Sequence, residues 1–140
     1  MALINNIIAL DVGSSRIGVA IASVMARMPR PLITLANSDT FFQELHTLIE
    51  KEDAQVIVVG MPRGLDGQRT EQTIYTENFI QELKSHLKLP VYTQDEAVTS
   101  RKAEEELTKR GKPYTKEDID SLAATYILDD FLQEKANLLH

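Results

Sequence analysis

The sequence predicts an α/β fold, a five-stranded mixed sheet flanked by helices in the order βββαβαβαα. Three observations carry that expectation. Two apolar runs, residues 7–10 and 17–23, are separated only by a short Gly/Ser turn, which reads as a hairpin. Val56, Ile57, Val58 and Val59 are β-branched throughout and apolar on both faces, the mark of a central strand in a parallel arrangement. Beyond the hairpin, apolar residues recur at helical spacing in segments that alternate with short strands.

The elements follow in order. Pro29 and Pro31 bracket Arg30, and residues 32–35 form a third strand. Asn37, Ser38 and Asp39 offer helix-capping chemistry. Phe41, Phe42, Leu45, Leu48 and Ile49 then trace a helix that reaches Lys51. The central strand, 56–59, ends in a loop over 60–67 that holds three glycines and Pro62. A helix spans 71–86, with Tyr75, Phe79, Leu83 and Leu87 as its stripe. Pro90 restarts the chain, and residues 91–93 form a short strand leading into Gln94, Asp95 and Glu96. The next helix covers 99–110, with Lys109 and Arg110 in its last turn and Gly111 as its stop. Thr115 caps the final helix, Asp118 completing a capping-box variant. Its core side is Ile119, Leu122, Ala123, Tyr126 and Ile127. Right-handed crossovers from strand one to four to five place ligands at the carboxyl ends of strands one and four.

The 140 residues suffice for one domain with a real core, and no repeat or linker divides them. No apolar stretch approaches a membrane span. The N-terminal residues lack the basic region and cleavage site of a signal peptide. With no cysteine, disulfides and thiolate metal sites are excluded. A cytoplasmic protein is expected. The net charge of −6 excludes a generally basic nucleic-acid binder, so a phosphate-backbone partner needs a local basic face or bridging cations. Arg101, Lys102, Lys109, Arg110, Lys112 and Lys116 predict such a basic stripe.

The chemistry gathers around acids. Asp11 follows the first apolar run, where glycines clear space, and an unpaired ionised carboxylate there is costly to bury. Asp95 and Glu96 close strand five. Asp120 shares a helical face with Ala123, Ala124, Ile127 and Phe131, a small apolar stripe that lets the helix approach the sheet. Carboxylates converging at one end of a sheet repel one another, and divalent cations relieve that repulsion. Magnesium suits such oxygen donors. Two ions roughly 3.5–4 Å apart would stabilise the attacking and leaving oxygens of a phosphodiester displacement, and would activate a water as nucleophile. Plainer readings stand beside these. Asp11 fits an Asx turn, Asp95 and Glu96 a solvated strand end, and Asp118 a helix cap. The loop over 60–67, with Arg63 and Arg69, reads either as a phosphate-contacting turn or as a connector.

The blocks Asp11-Val12-Gly13-Ser14-Ser15-Arg16-Ile17-Gly18, Val58-Val59-Gly60-Met61-Pro62, Asp66-Gly67, Asp95-Glu96-Ala97-Val98-Thr99-Ser100 and Ile119-Asp120-Ser121-Leu122-Ala123-Ala124 resemble the YqgF family, in the family's order and over nearly the whole chain. The family is also known as RuvX, pre-16S rRNA nucleases and Holliday-junction-resolvase-like proteins. The resemblance implies a single ribonuclease H-like nuclease domain over 1–140. It also implies metal-dependent hydrolysis of phosphodiester bonds in structured nucleic acid: 5′-end processing of pre-16S rRNA in ribosome biogenesis, with Holliday-junction resolution as the older alternative. By resemblance Asp11, Glu96 and Asp120 are catalytic, and with Asp95 they are the expected ligands of Mg2+, or of Mn2+. Arg16, Arg63, Thr99 and Arg101 are the expected substrate-binding residues. One departure stands out: Ala97 occupies the position of the family's arginine. Precursor rRNA or branched DNA is the expected partner, no membrane is involved, and the chain acts as a monomer or homodimer.

Two other functions fit parts of this pattern. A non-catalytic nucleic-acid-binding module is consistent with Ala97 and the acidic charge. Asp11-Val12-Gly13-Ser14-Ser15 also resembles the phosphate loop of the actin and sugar-kinase superfamily, whose members close two such domains around a nucleotide. This chain has room for one.

Overall fold

A computed structural model describes residues 3–96 and 99–135. Among these residues the chain forms β1 (Asn6–Val12), β2 (Arg16–Ser23), β3 (Arg30–Ala36), α1 (Phe41–Glu52), β4 (Ala54–Pro62), α2 (Glu71–His86), β5 (Val91–Glu96), α3 (Thr99–Arg110) and α4 (Lys116–Lys135). The element order is the expected one, and the strands lie side by side as β3-β2-β1-β4-β5. β1, β2 and β3 pair antiparallel, while β4 pairs parallel with both β1 and β5.

Strand alternation divides the core. Ile8, Leu10, Val12, Ile17, Val19, Ile21, Ile57 and Val59 project to one face, where Phe41, Leu45, Phe79, Ile80 and Leu83 of α1 and α2 cover them. Ile7, Ala9, Ala20, Ala22, Val56 and Val58 project to the other, against Ala124, Ile127, Leu128 and Phe131 of α4. Helix α3 lies on α4 through Ala103, Leu107, Leu122 and Ala123.

Several boundaries differ from expectation. β4 continues through Gly60, Met61 and Pro62, because these residues pair with Gln94, Asp95 and Glu96 of β5. The loop therefore begins at Arg63. The N-cap of α1 is Thr40, whose side chain makes no capping bond. Asn37 works elsewhere: its Nδ2 donates to the Gly13 carbonyl at 2.9 Å and to the Tyr75 hydroxyl at 3.0 Å. The cap of α4 is as expected, with the Asp118 amide donating to Thr115 Oγ1 and the Thr115 amide donating to Asp118 Oδ2. At α2, Thr70 and Thr73 form a reciprocal capping box. Thr73 Oγ1 also donates to the Pro62 carbonyl at 2.6 Å, which fastens the start of the helix to the end of β4.

Two glycines set how closely α4 can lie on the sheet. A Cβ on Gly18 would stand 2.0 Å from the backbone oxygen of Asp120. A Cβ on Gly60 would stand 2.4 Å from Ile127 Cδ1 and 3.0 Å from Glu96 Oε2. At Gly18, where the obstructing atoms are backbone, only a residue without a side chain permits the approach; at Gly60 they are side-chain atoms.

Candidate active site

The alternation that buries Ile7 and Ala9 under α4 carries on to Asp11. The residue lies within β1, paired across the hairpin with Gly18, one step inside the strand rather than beyond its end. Its carboxylate therefore faces α4. Asp120, in the first turns of α4, is brought over the sheet by the Gly18 contact. Glu96 ends β5 on the same face as Tyr92, whose ring packs 5.6 Å from that of Phe131 on α4. Three residues whose extremes lie more than 100 positions apart thus meet at the carboxyl ends of β1 and β5. They line one cleft of about 340 Å3, together with Val12, Gly13, Ser14, Ser15, Arg16, Gln72 and Ser100.

The charges in this cleft are mutually unfavourable. Burial, then the charges of Glu96 and Asp120, push the Asp11 carboxyl up from the usual 3.8 to about 8. Arg16 offsets part of the excess, its Nε donating to Asp120 Oδ2 at 2.6 Å. That hydrogen bond, and then the charge of Asp120, raise the pKa of the Arg16 guanidinium above its ordinary value. Among the described residues no three Asp, Glu or His side chains are drawn together tightly enough to form a ready-made metal site. The donor chemistry nevertheless fits a hard divalent cation: oxygen ligands only, and a partly desolvated carboxylate in need of positive charge.

The other expected site residues are placed differently. Asp95 points to the opposite side of β5 from Glu96, is 73% exposed, and pairs with Arg63 at 3.3 Å. Neither Asp95 nor Arg63 lines the cleft. Arg101 is 81% exposed and pairs with Glu105 one helical turn on. The glycine-rich loop uses its amides internally, Gly64 donating to the Gln68 carbonyl and Gly67 to that of Gly64. Arg69 pairs with Glu77. Ala97, Val98 and the side chain of Thr99 lie outside the described residues. The expected basic stripe is partly neutralised, Arg110 pairing with Glu106 and Arg101 with Glu105, while Lys102 stands 4.5 Å from the centre of the Tyr126 ring.

Gln72 is a cleft residue that the sequence reading missed. Its Nε2 donates to the Val12 carbonyl at 3.2 Å, which links the first turn of α2 to the end of β1. A polar residue one turn before the apolar stripe of α2, on a helix that starts at the carboxyl end of β4, was the available signal.

The sheet order, the hairpin that opens it and the acids at its carboxyl end define a ribonuclease H-like protein. The RuvX family model, described as Holliday junction resolvase, matches residues 5–134, and the chain belongs to that family. It is 36% identical over 130 residues to a protein of Sulfurihydrogenibium sp. provisionally named pre-16S rRNA nuclease, covering 91% of this chain and 90% of that one. A Chloroflexus aurantiacus protein with the same provisional name is 38% identical over 133 residues, covering 92% and 87%. In fold the chain is similar to T. thermophilus RuvC in complex with Holliday junction substrate, at a TM-score of 0.57 and 13% identity, over 94% of this chain and 97% of that one.

Proposed function

We propose that this chain is a Mg2+-dependent nuclease that hydrolyses phosphodiester bonds in structured nucleic acid, with the 5′ end of precursor 16S rRNA as its substrate. The observation that carries the reading is the meeting of Asp11, Glu96 and Asp120 in one cleft beside Arg16. The names of the relatives support the substrate.

In this reading Asp11, Glu96 and Asp120 hold the metal. Asp95, turned away and paired with Arg63, does not. Bound Mg2+ would supply the positive charge that stabilises the attacking and leaving oxygens and eases deprotonation of water. The protein's own part is geometric. Asp11 is fixed by its strand, Asp120 by the close approach of α4 at Gly18, and Glu96 by the space that Gly60 leaves beside it. Arg16 holds Asp120 in place and presents a guanidinium to the substrate phosphate, a geometry suited to paired phosphate oxygens. Ser14, Ser15 and Ser100 add hydroxyls along the same wall.

The test is cleavage of a 5′-extended 16S rRNA fragment by the wild type and by Asp11→Asn, with and without Mg2+. The reading expects cleavage that needs the metal and is lost in the variant. Binding without cleavage in both proteins would overturn it in favour of a binding module. The description of the matching family favours a second substrate. A four-way DNA junction in the same assay decides between them: preferential cutting of the junction would replace rRNA as the substrate.

A further inference from the structure

Next to the acidic cleft lies a second, larger groove of about 550 Å3, lined in part by Asn37, Asp39, Phe42, Tyr75, Asn78 and Glu82. We infer that this groove receives an unpaired nucleobase of the strand whose phosphate occupies the acidic cleft. The inference rests on the nuclease reading above and adds a recognition site to it.

Three observations carry it. The first is continuity. Asn37 lines the groove, yet its Nδ2 donates at once to the Gly13 carbonyl, in the turn that walls the cleft, and to the Tyr75 hydroxyl. Helix α2 joins the two sites as well. Gln72 lines the cleft and Tyr75 lines the groove, three residues apart and so on one helical face. A strand passing through one site is delivered to the other.

The second observation is the aromatic surface. Tyr75 is 40% exposed, unusual for a large ring at a stripe position, and its hydroxyl is held by Asn37. A ring whose hydroxyl is tethered and which keeps 40% of its surface exposed can serve as a stacking platform. Phe42, which lines the same groove, is held by stacking on Phe79 at 5.7 Å between centroids and on His86 at 4.2 Å. The groove therefore carries a packed apolar surface beside Tyr75.

The third is the sign of the charge. Asp39 and Glu82 line the groove, and among the described residues no Lys or Arg does. Such a wall repels a phosphate and suits the amino and imino donors on base edges. The Asn78 amide can donate or accept, and Asn37, whose two N–H groups are already engaged, can accept through Oδ1. The two sites thus divide a nucleotide between them. The backbone goes to the arginine and metal side, and the base goes to the aromatic and acidic side.

Stacking of one base on an aromatic side chain contributes about 1–3 kcal/mol, a factor of about 5 to 150 in affinity. The test measures anisotropy of a labelled single-stranded oligonucleotide, and of an abasic strand of the same length, in Ca2+. Tyr75→Ala, an exposed position, is expected to weaken binding of the base-bearing strand by at least about 5-fold. The abasic strand, already weaker on the wild type, is expected to be unaffected. Tyr75→Phe, which keeps the ring and loses the tether, should lie between the two. Equal binding of both strands by wild type and Tyr75→Ala would overturn the groove and leave the nuclease reading standing, to be judged by cleavage alone. Tyr75 dependence without any metal-dependent cleavage would support the groove and refute the nuclease. Failure of every protein to bind either strand would overturn both.

Discussion

Under α1 and α2 the sheet presents Ile8, Leu10, Ile17, Val19, Ile57 and Val59, and it is met by Phe41, Leu45, Phe79 and Leu83. Under α4 it presents Ile7, Val56 and Val58 at one side but only Ala9, Ala20 and Ala22 elsewhere, with Gly18 and Gly60 in direct approach to the helix. Large side chains hold the first pair of helices away from the strands. Small ones let α4 settle almost onto the backbone of β2. All three carboxylates lie on the close face. A helix whose backbone touches the sheet cannot slide or tilt without a clash, so sterics fix the Asp120 backbone relative to Asp11, and Arg16 holds its side chain. The padded face supplies the larger apolar burial, and the close face supplies position.

Substituting one residue on each face separates these roles, and the largest combined effect, on stability and on metal affinity, is expected at Gly18. Gly18→Ala sets a methyl 2.0 Å from the Asp120 carbonyl, a backbone atom with no room to yield. The helix must move as a body, at a cost of about 3 kcal/mol. Leu45→Ala, on the padded face, leaves a cavity and costs about 2–5 kcal/mol. The two are alike in denaturant melts and differ in calorimetry with Mg2+. Gly18→Ala loses metal affinity because Asp120 is displaced, and Leu45→Ala keeps it. Equal metal affinity in the two variants would refute the division of labour.

Asp11→Asn is expected to act in opposite directions on activity and stability. If Asp11 holds the metal, as proposed, its loss lowers cleavage more than about 100-fold, beyond the range seen for outer-shell partners. The same change removes an acid that must be protonated to sit buried beside two other carboxylates, so near neutral pH the metal-free protein should melt at a higher temperature than wild type.

The pH dependence follows from the same residue. In the fold Asp11 keeps its proton up to about pH 8, whereas the unfolded chain releases it near 3.8. Between those values the native state binds more protons, so this group's contribution to stability declines as pH rises. It is fully present below about pH 3.8 and lost above about pH 8. Metal-free wild type should therefore fall in Tm relative to Asp11→Asn over pH 5–8, and Mg2+ should cancel the difference. Parallel Tm curves for the two proteins would show that Asp11 is ionised throughout.

Much of this was legible in the chain. The periodicities gave the element order, and the bounds of α2 and α3 were predicted residue for residue. Asp120 was legible because its helical neighbours are alanines and large apolar residues. What escaped depends on pairing. Gly60, Met61 and Pro62 look like loop chemistry, yet they become strand because β5 pairs with them. Asn37 has the composition of a helix cap, yet its bonds run to a turn and a helix distant in sequence. The role of Gly18 was invisible, since nothing local says that a helix a hundred residues on will lie against it.

Asp95 and Glu96 make the narrowest version of the contrast between faces. They are adjacent, both acidic, and both were expected to be metal ligands. Strand geometry sends successive side chains to opposite sides, so one of them must leave the close face. Glu96 turns toward α4 and the cleft, and Asp95 turns to Arg63 and solvent. Glu96→Gln is therefore expected to abolish metal-dependent cleavage. Asp95→Asn should leave the rate within about 2-fold and stability within about 0.5 kcal/mol, the scale of an exposed ion pair. Kinetics and denaturant melts of the two variants in parallel measure this. If Asp95→Asn proved as damaging as Glu96→Gln, the strand end would have to rotate when the metal binds, and the face to which each acid belongs would no longer be fixed by alternation.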